Sequence, residues 1–524
     1  MAQARPLNRR ELARATGTVM AAFLLSRLLG LARELIIGHQ FGTSGDLDAY
    51  LAAFRVPDLL FQLVAGGALA SAFIPTFSAL LSRGDERAGW RLTSHVVNLL
   101  LVVLALASLL AAWQAPWLMA HVVAPGFPPE RQALAARLMR LMLLSPVVFS
   151  VSGILMGVLN SYSRFLLPAL APAVYNLCII LGAWLLAPSL GVYGLAYGVV
   201  VGAALHLAVQ LPDLARLRPS YTPTLDLRSA DLREVVRLML PRSFGLGLVQ
   251  LTFLVNTILA STLAAGSLAA LNYAWLLMLL PQGILAQAAG TVVFPTLSAL
   301  AAQARAAEMR HTLADTLRAL LFLTLPVALG LFFLRTPLVE LLFQRGAFTE
   351  RSTAMVVAAL ALYALGLPAH SALEVIARGF FALHDTLTPV LVGMGAMTAN
   401  IALGVVAVLA LGHQPHAHAY LALANTVATT VEVLLLGALL HRRVGGFGDT
   451  ALADSLTRTV WATAAMSALL GVAMPRLAAW APAVQLAAGA ALGGGAFGLA
   501  AWALRSEEMR SVGRLFPRGR RAKG

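Results

Sequence analysis

The sequence is poor in the residues on which soluble folds and most enzymes depend. It contains one cysteine, Cys178, so a framework of disulfide bonds is excluded, and we expect this thiol to be buried and inert. Only 12% of the 524 residues are charged, which excludes an ordinary soluble globular fold of this length. A Gly-rich phosphate loop before a lysine, a pair of catalytic carboxylates on a polar loop and a nucleophile elbow are also lacking. The chain is therefore not predicted to be an enzyme or to bind a nucleotide.

Apolar residues make up most of what is present. They account for 59% of the chain, and the mean hydropathy is +0.80. A membrane-spanning helix needs about 20 mainly apolar residues. Fourteen such stretches begin near residues 15, 49, 94, 132, 165, 190, 238, 267, 314, 352, 386, 417, 451 and 482. We predict an all-α, polytopic membrane protein with fourteen transmembrane helices, the first of them an uncleaved anchor.

Basic residues concentrate in alternate loops between these stretches. They precede span 1, follow each even-numbered span from 2 to 12, and recur in the tail from Arg505 to Lys523. The positive-inside rule then places both termini in the cytoplasm, which requires an even number of spans, as the count of fourteen provides. Topology and attraction to anionic membrane lipids explain the net charge of +15, so no nucleic-acid partner is predicted.

An internal repeat divides the chain. The segments Phe73–Leu81 and Val293–Ala301 are similar, with Pro75 and Pro295 lying 220 positions apart. A weaker match, 221 positions apart, relates the prolines that open spans 5 and 11. An offset of six spans keeps both halves the same way up, so we predict two six-helix lobes related by an axis along the membrane normal. The alternative is that Pro-Thr-x-Ser is only a common way to end an apolar helix.

The repeat and the loops together predict five regions. They are an N-lobe of spans 1 to 6 (residues 1–213), a cytoplasmic amphipathic linker (214–237), a C-lobe of spans 7 to 12 (238–444), spans 13 and 14 (445–505), and a basic cytoplasmic tail (506–524).

Charged residues lie inside the first two spans, where ionised groups are costly unless a cavity or a charged ligand meets them. They are Arg27, Arg33 and Glu34 in span 1 and Arg55 and Asp58 in span 2. We predict that they form a substrate-binding cluster in the outer half of the first lobe. The alternative is a set of ion pairs that only holds helices 1 and 2 together. Helical rise places Arg27 about 18 Å into the membrane, where neither span offers a carboxylate, so Arg27 is the least suited to a structural pair.

Other polar residues in the spans are candidates to bind a coupling cation, with Na⁺ as the candidate ion. Side-chain oxygens suited to this role occur in spans 7, 11 and 12, on Asn256, Thr398, Asn400, Asn425, Thr429 and Glu432. The alternative is that these groups bond across helices. Glu374 and Arg378 fit an ordinary helix pair. His413, His416 and His418 share one outer loop without cysteine or carboxylate neighbours, so no metal site is predicted there.

Several motifs resemble those of one family. They are Ser26–Glu34, Phe41–Gly42, Asp48–Ala49, Phe54–Pro57, Gly67–Pro75, Ala124–Phe127, Asn160–Pro172 and Pro281–Ser298. Together with the number and order of spans, they resemble the MurJ (MviN) family of lipid II flippases, part of the multidrug/oligosaccharidyl-lipid/polysaccharide exporter superfamily.

The resemblance implies a function. Such a protein moves lipid II, the undecaprenyl-pyrophosphate-linked peptidoglycan precursor, from the inner to the outer leaflet of the bacterial cytoplasmic membrane by alternating access. Cavity arginines of the family hold the pyrophosphate, and Arg27, Arg33 and the acidic Glu34 fall on matching positions. Spans 13 and 14 would line a groove for the lipid tail. Without a nucleotide site, an ion gradient or the membrane potential would drive transport.

Two positions depart from the family pattern. An arginine is expected within the segment Asp58–Gln62 and another within Tyr273–Leu276, and neither segment contains one. A diphosphate held in a low-dielectric cavity by Arg27 and Arg33 alone would be poorly compensated. Either Arg55 substitutes, or the substrate is another lipid-linked glycan or an amphiphile. A third alternative is a non-transporting scaffold for cell-wall synthesis enzymes, in which the cavity charges would be dispensable.

Overall fold

The computed structural model describes residues 9–63, 72–446 and 449–509. Regular structure within these ranges is helical and includes no strand, so the predicted all-α fold is confirmed. Most of the predicted basic tail, from residue 510 onwards, lies outside the described residues, as does the start of the motif Gly67–Pro75.

The chain forms two compact units. The first comprises Met1–Ala269 with Arg345–Phe348, and the second comprises Ala270–Gln344 with Thr349–Gly524. Helices that begin in the first unit are α1 (Arg9–Phe41), α2 (Gly45–Phe61), α3 (Ile74–Ser82), α4 (Glu86–Trp113), α5 (Ala115–Leu118), α6 (Pro129–Met142), α7 (Leu144–Ser161), α8 (Leu166–Leu181), α9 (Ala187–Leu190), α10 (Tyr193–Ala208), α11 (Leu211–Arg216), α12 (Ala230–Ser261) and α13 (Ser267–Gln282).

Within the described ranges, the second unit contains the rest of α13 and seven further helices. They are α14 (Ala288–Ala302), α15 (Ala306–Phe343), α16 (Glu350–Ala382), α17 (Leu387–Leu411), α18 (Ala419–Val444), α19 (Asp449–Leu477) and α20 (Pro482–Ala503). Short π-helical turns at Met119–Val123, Gly182–Leu186 and Gly283–Gln287 connect some of these helices.

Twelve helical segments in the described ranges are long and apolar enough to cross a membrane. They correspond to predicted spans 3 to 14, and the chain is a multi-pass membrane protein. Predicted spans 1 and 2 are α1, which carries the charged residues, and α2, which ends at Phe61 shortly before the undescribed residues 64–71. The full count of fourteen therefore stays a prediction.

The predicted amphipathic linker is partly helical. Ser229 caps α12, which begins at Ala230 and continues without a break into span 7. Leu232 and Val235, on the apolar face of this first part, are buried in a hydrophobic core of the first unit together with Phe77. Helix α12 thus belongs to the first compact unit, whereas the sequence division assigned span 7 to the C-lobe. The reason is packing: the apolar side chains ahead of the span anchor it to the first unit.

The two repeat segments pack alike. Phe73, Phe77 and Leu80 are buried in a core of the first unit, and the residues 220 positions later, Val293, Leu297 and Leu300, are buried in a core of the second. A coincidental helix-ending motif would not be expected to bury the same three positions. The repeat is thus expressed in the packing of both units.

A buried carboxylate fixes the start of α13. Asp48, on α2, is 1% exposed and accepts hydrogen bonds from the backbone N–H groups of Gly266 (2.6 Å) and Ala269 (2.8 Å). Ala269 lies in the first turn of α13 and Gly266 directly precedes the helix, and N–H groups at the start of a helix have no acceptor within the helix itself. Gly266 has φ +93°, and a Cβ there would lie 2.2 Å from the carbonyl oxygen of Thr43. The signature residue Asp48 therefore has a structural role.

Candidate functional site

The first unit encloses a cavity of about 590 Å³. Its walls come from α1, α2, α3, α7, α8 and α10. Polar side chains on these walls include Arg33, Asp58, Gln62, Asn160, Tyr175 and His206, and the apolar ones include Phe54, Phe61 and Phe149. A cavity that combines a cation, hydrogen-bonding groups and aromatic rings is suited to an amphiphilic ligand with an anionic, oxygen-rich head.

Arg33 is held in a defined orientation at this cavity. Its Nε and Nη2 donate to Glu34 Oε1 at 3.1 and 2.6 Å, and its Nη1 donates to Asn176 Oδ1 at 3.0 Å. The Asn176 amide also donates to the carbonyl oxygen of Ser26 at 3.3 Å, which ties α8 to α1. The Arg33 side chain is still 28% exposed, so an anion in the cavity has access to a cation whose position is already fixed.

Asp58 and Arg55 on α2 both contact α12. Gln250 Nε2 donates to Asp58 Oδ2 at 2.6 Å, while Arg55 Nε donates to Thr257 Oγ1 at 2.9 Å. The Arg55 guanidinium also lies 5.5 Å from the centre of the Phe253 ring. Arg55 lines a smaller neighbouring cavity of about 130 Å³, whose wall it shares with Asp58.

The structure thus separates the five predicted binding residues. Arg33 and Asp58 line the large cavity, and Glu34 is buried beside Arg33. Arg55 lines the smaller cavity, and Arg27 is exposed on α1. Two of the five, Arg33 and Asp58, therefore line the same cavity. Asp58 also lines the smaller cavity, together with Arg55.

The coupling-ion candidates are distributed over both units. Asn256 lies on α12 in the first unit, and the others lie on α17 and α18 in the second. Thr398 donates to the carbonyl oxygen of Met394, and Asn425 Oδ1 lies 3.0 Å from His370 Nε2. Asn400 and Thr429 are buried. A cation site built from these residues remains a prediction.

One of the three loop histidines makes an ordinary hydrogen-bonding contact. His418 is buried, its Nε2 lies 2.9 Å from the carbonyl oxygen of Met355, and burial lowers the pKa of its imidazole to about 4. Among the described residues, no group of three or more His, Cys, Asp or Glu side chains is placed to hold a metal ion.

The second unit has a smaller cavity of about 280 Å³ between α14 and α16. Glu374 and Arg378 line it together with Phe294 and Phe381. Arg378 Nη1 donates to the Glu374 carboxylate and, at 2.7 Å, to the Glu374 carbonyl oxygen. The predicted helix pair is therefore formed.

Sequence reasoning did not single out several cavity residues. Asn160, Tyr175 and His206 lie on three different spans, and Asn176 directly follows Tyr175. The sequence did contain one indication of these residues: a polar side chain deep in a membrane span requires a polar partner.

A bundle of apolar helices long enough to cross a membrane, with a cation on the wall of an internal cavity, is typical of a membrane transporter. The fold resembles that of a multidrug resistance MATE family transporter of the MOP superfamily in its inward-facing conformation, with a TM-score of 0.67 at 14% identity over 83% of this chain and 98% of the other. This likeness concerns the fold alone.

Closer relatives specify the family. The family described as lipid II flippase MurJ matches residues 37–489. A lipid II flippase MurJ from Burkholderia cenocepacia is 36% identical over 83% of this chain and 84% of the relative, and a probable one from Rhizobium meliloti is 31% identical over 88% and 86%. A solved structure of lipid II flippase MurJ in an inward closed conformation gives a TM-score of 0.76 at 25% identity, over 94% of this chain and 99% of the other. The chain belongs to the lipid II flippase MurJ family and is a transporter.

Proposed function

We propose that this protein moves lipid II from the inner to the outer leaflet of the bacterial cytoplasmic membrane by alternating access. The observation that carries the proposal is the Arg33 guanidinium, fixed by Glu34 and Asn176 at the wall of a cavity at membrane depth. An ionised group at this depth is costly unless it has an anionic ligand or an aqueous path.

The chemistry of the cavity matches the head of the proposed substrate. A pyrophosphate needs a cation that presents several N–H groups, which a guanidinium provides. Glu34 offsets part of the positive charge, so the bound anion is not held too tightly to be released. The amide of Asn160 and the aromatic rings of Phe54 and Phe149 are suited to contacts with a sugar or a peptide.

The remaining predicted binding residues have distinct proposed roles. Arg27, exposed on the same helix as Arg33, meets the anionic head during entry or exit. Arg55 and Asp58 stabilise the wall towards α12, and Arg55 substitutes for the arginines that the family pattern has within the segments Asp58–Gln62 and Tyr273–Leu276. Helices α19 and α20 line the groove for the polyprenyl tail.

Transport is driven by an ion gradient or the membrane potential. Na⁺ is the proposed coupling ion, bound by oxygens of Asn256, Thr398, Asn400, Asn425 and Thr429. Both termini lie in the cytoplasm, as the basic loops indicate. Cell-wall synthesis enzymes that use lipid II on the outer face are the candidate protein partners.

A second candidate function is the export of another lipid-linked glycan or an amphiphile. The observation that favours it is the lack of an arginine in the segments Asp58–Gln62 and Tyr273–Leu276. Phe61 contacts Phe149, and Trp275 packs edge-on against Tyr363 and His370, so aromatic contacts occupy these regions. Thermal-shift binding of lipid II compared with other polyprenyl-linked glycans separates the two functions.

Complementation tests the proposal. Arg27→Ala and Arg33→Ala should each fail to rescue a bacterium depleted of its own lipid II flippase, while the amount of protein in the membrane is unchanged. Arg305→Ala is the matched control, because Arg305 is exposed and pairs with Glu308 on the same helical turn. Full rescue by both Arg27→Ala and Arg33→Ala would contradict the proposed function.

A further inference from the structure

Three polar side chains form a buried network beside the large cavity. Ser152 on α7 and Gln210, just after α10, are fully buried, and His206 on α10 is 8% exposed. His206 Nδ1 lies 2.6 Å from Ser152 Oγ, and Gln210 Nε2 lies 2.7 Å from the same oxygen. At the repeat offset of 221 positions the second unit has Leu373, Val427 and Val431, so packing of the repeat does not require this network.

The orientation of the Gln210 amide follows from its neighbours. Its Nε2 lies 2.9 Å from the backbone carbonyl oxygen of His206, which can only accept a hydrogen bond. The NH₂ group must therefore stand at this position, since the reversed amide would bring two oxygens together. The second N–H of the same group then donates to Ser152 Oγ.

The Ser152 hydroxyl can select the tautomer of the histidine. Its oxygen accepts from Gln210, and its own proton is available to His206 Nδ1, which lies 2.6 Å away. A histidine that accepts at Nδ1 is neutral and carries its proton on Nε2. The chain of donors therefore runs from Gln210 through Ser152 to His206 and leaves one N–H group at the far side of the ring.

The His206 ring also borders the cavity. His206 is part of the cavity wall, and the Phe149 ring packs edge-on against it with centroids 5.2 Å apart. The other titratable or charged side chains on the wall are Arg33, Asp58 and Tyr175. The imidazole is thus held rigidly by Ser152 on one edge and by an aromatic ring on its flank.

We infer that His206 is a substrate-binding residue that donates a hydrogen bond from Nε2 to an oxygen of the lipid-linked pyrophosphate glycan in the cavity. This inference rests on the proposed function. It adds an uncharged donor on α10 to the cation on α1, so the headgroup is bound from two helices. A neutral donor also adds recognition without adding to the positive charge that must be overcome on release.

Two measurements test the inference. Nitrogen NMR of histidine-labelled protein in lipid nanodiscs should show one imidazole, lost in His206→Phe, with a protonated Nε2 and an unprotonated Nδ1 at neutral pH. In Gln210→Met, which removes the amide donor at similar length, this signal should change towards a mixture of tautomers. A proton on Nδ1 of the wild-type residue would overturn the inference.

Binding of lipid II to the purified protein is the second measurement. His206→Phe keeps the ring contact but loses the donor, and its affinity should fall by about tenfold or more, as for a hydrogen bond to a charged group. His206→Gln, which keeps an N–H at a similar reach, should stay within about threefold of wild type, and His413→Phe on the exposed outer loop should have no effect. Equal binding by wild type and His206→Phe would overturn only this inference, whereas no binding by the wild-type protein would overturn the proposed function itself.

Discussion

The cavities of the two units occupy equivalent places in the repeat but differ in content. At an offset of 221 positions, Gly153 and Gly157 on the wall of the first cavity correspond to Glu374 and Arg378 on the wall of the second. The first cavity measures about 590 Å³ and the second about 280 Å³. One repeat therefore has glycines where the other has an ion pair.

The difference shows which parts of the repeat are constrained. The buried positions at Phe73, Phe77 and Leu80 are apolar in both units, whereas the cavity walls have diverged. Gly157 lines the first cavity, and a Cβ there would lie 3.2 Å from side-chain atoms of both Phe73 and Ile74. In the second unit Gly290 makes room for the Arg378 guanidinium, which fills the space instead. The first unit is thus the one shaped to hold a ligand.

The largest effect is expected when the ion pair of the second unit is introduced into the first. Gly153→Glu combined with Gly157→Arg should abolish rescue of a flippase-depleted strain, because the two side chains would occupy the chamber and the new arginine would repel Arg33. The measurement is growth, with the membrane level of the protein followed by immunoblot. Normal growth at the wild-type level would show that the chamber need not be open.

The ion pair of the second unit provides the next test. Arg378→Ala should lower the free energy of unfolding by roughly 1–2 kcal/mol, because it leaves the Glu374 carboxylate partly buried without its partner, and about a quarter exposure weakens the effect. Glu374→Gln combined with Arg378→Gln should recover part of this loss. Thermal unfolding in detergent measures both. A double variant less stable than Arg378→Ala would contradict a role limited to pairing.

The smallest expected effect concerns the loops at the ends of the repeats. Arg164 pairs with Asp213 in the first unit, and at the position equivalent to Arg164 the second unit has Asp385, which pairs with Arg443 at 2.5 Å. Both units therefore have an ion pair at this position, but the residue there is basic in the first unit and acidic in the second. Hydrogen bonds from the Thr388 hydroxyl and backbone N–H, together with the charge of Arg443, lower the pKa of Asp385.

This pKa shift predicts the pH dependence of the contribution from Asp385. A carboxyl whose pKa is lower in the folded state stabilises the protein above its unfolded pKa of about 3.9 and loses that contribution as the pH falls through the folded value. Asp385→Asn should therefore slightly lower the Tm at pH 7, and the difference from wild type should shrink as the pH falls below about 4. A difference that persists at low pH would assign the effect to the lost hydrogen bonds rather than to charge.

The sequence predicted those features that repeat or that are costly at membrane depth. Long apolar stretches indicated the spans, and the ionised Arg33 and Glu34 pointed to the cavity because no lipid environment tolerates them alone. The direction of a side chain was not predictable in this way. Arg55 donates to Thr257, 202 positions away, and no local sequence pattern indicates that partner. The Ser152, His206 and Gln210 network was missed for a similar reason: His206 and Gln210 are four positions apart, but their common partner Ser152 lies 54 positions before His206.

The central claim is that the Arg33 guanidinium binds the pyrophosphate of lipid II within the cavity of the first unit. Its most direct test is the affinity of the purified protein for lipid II, compared among wild type, Arg33→Ala and the exposed control Arg305→Ala. The account predicts a loss of roughly 100-fold for Arg33→Ala, as expected for two charge-assisted hydrogen bonds, and no change for the control. An Arg33→Ala protein that folds and binds lipid II with wild-type affinity would contradict it.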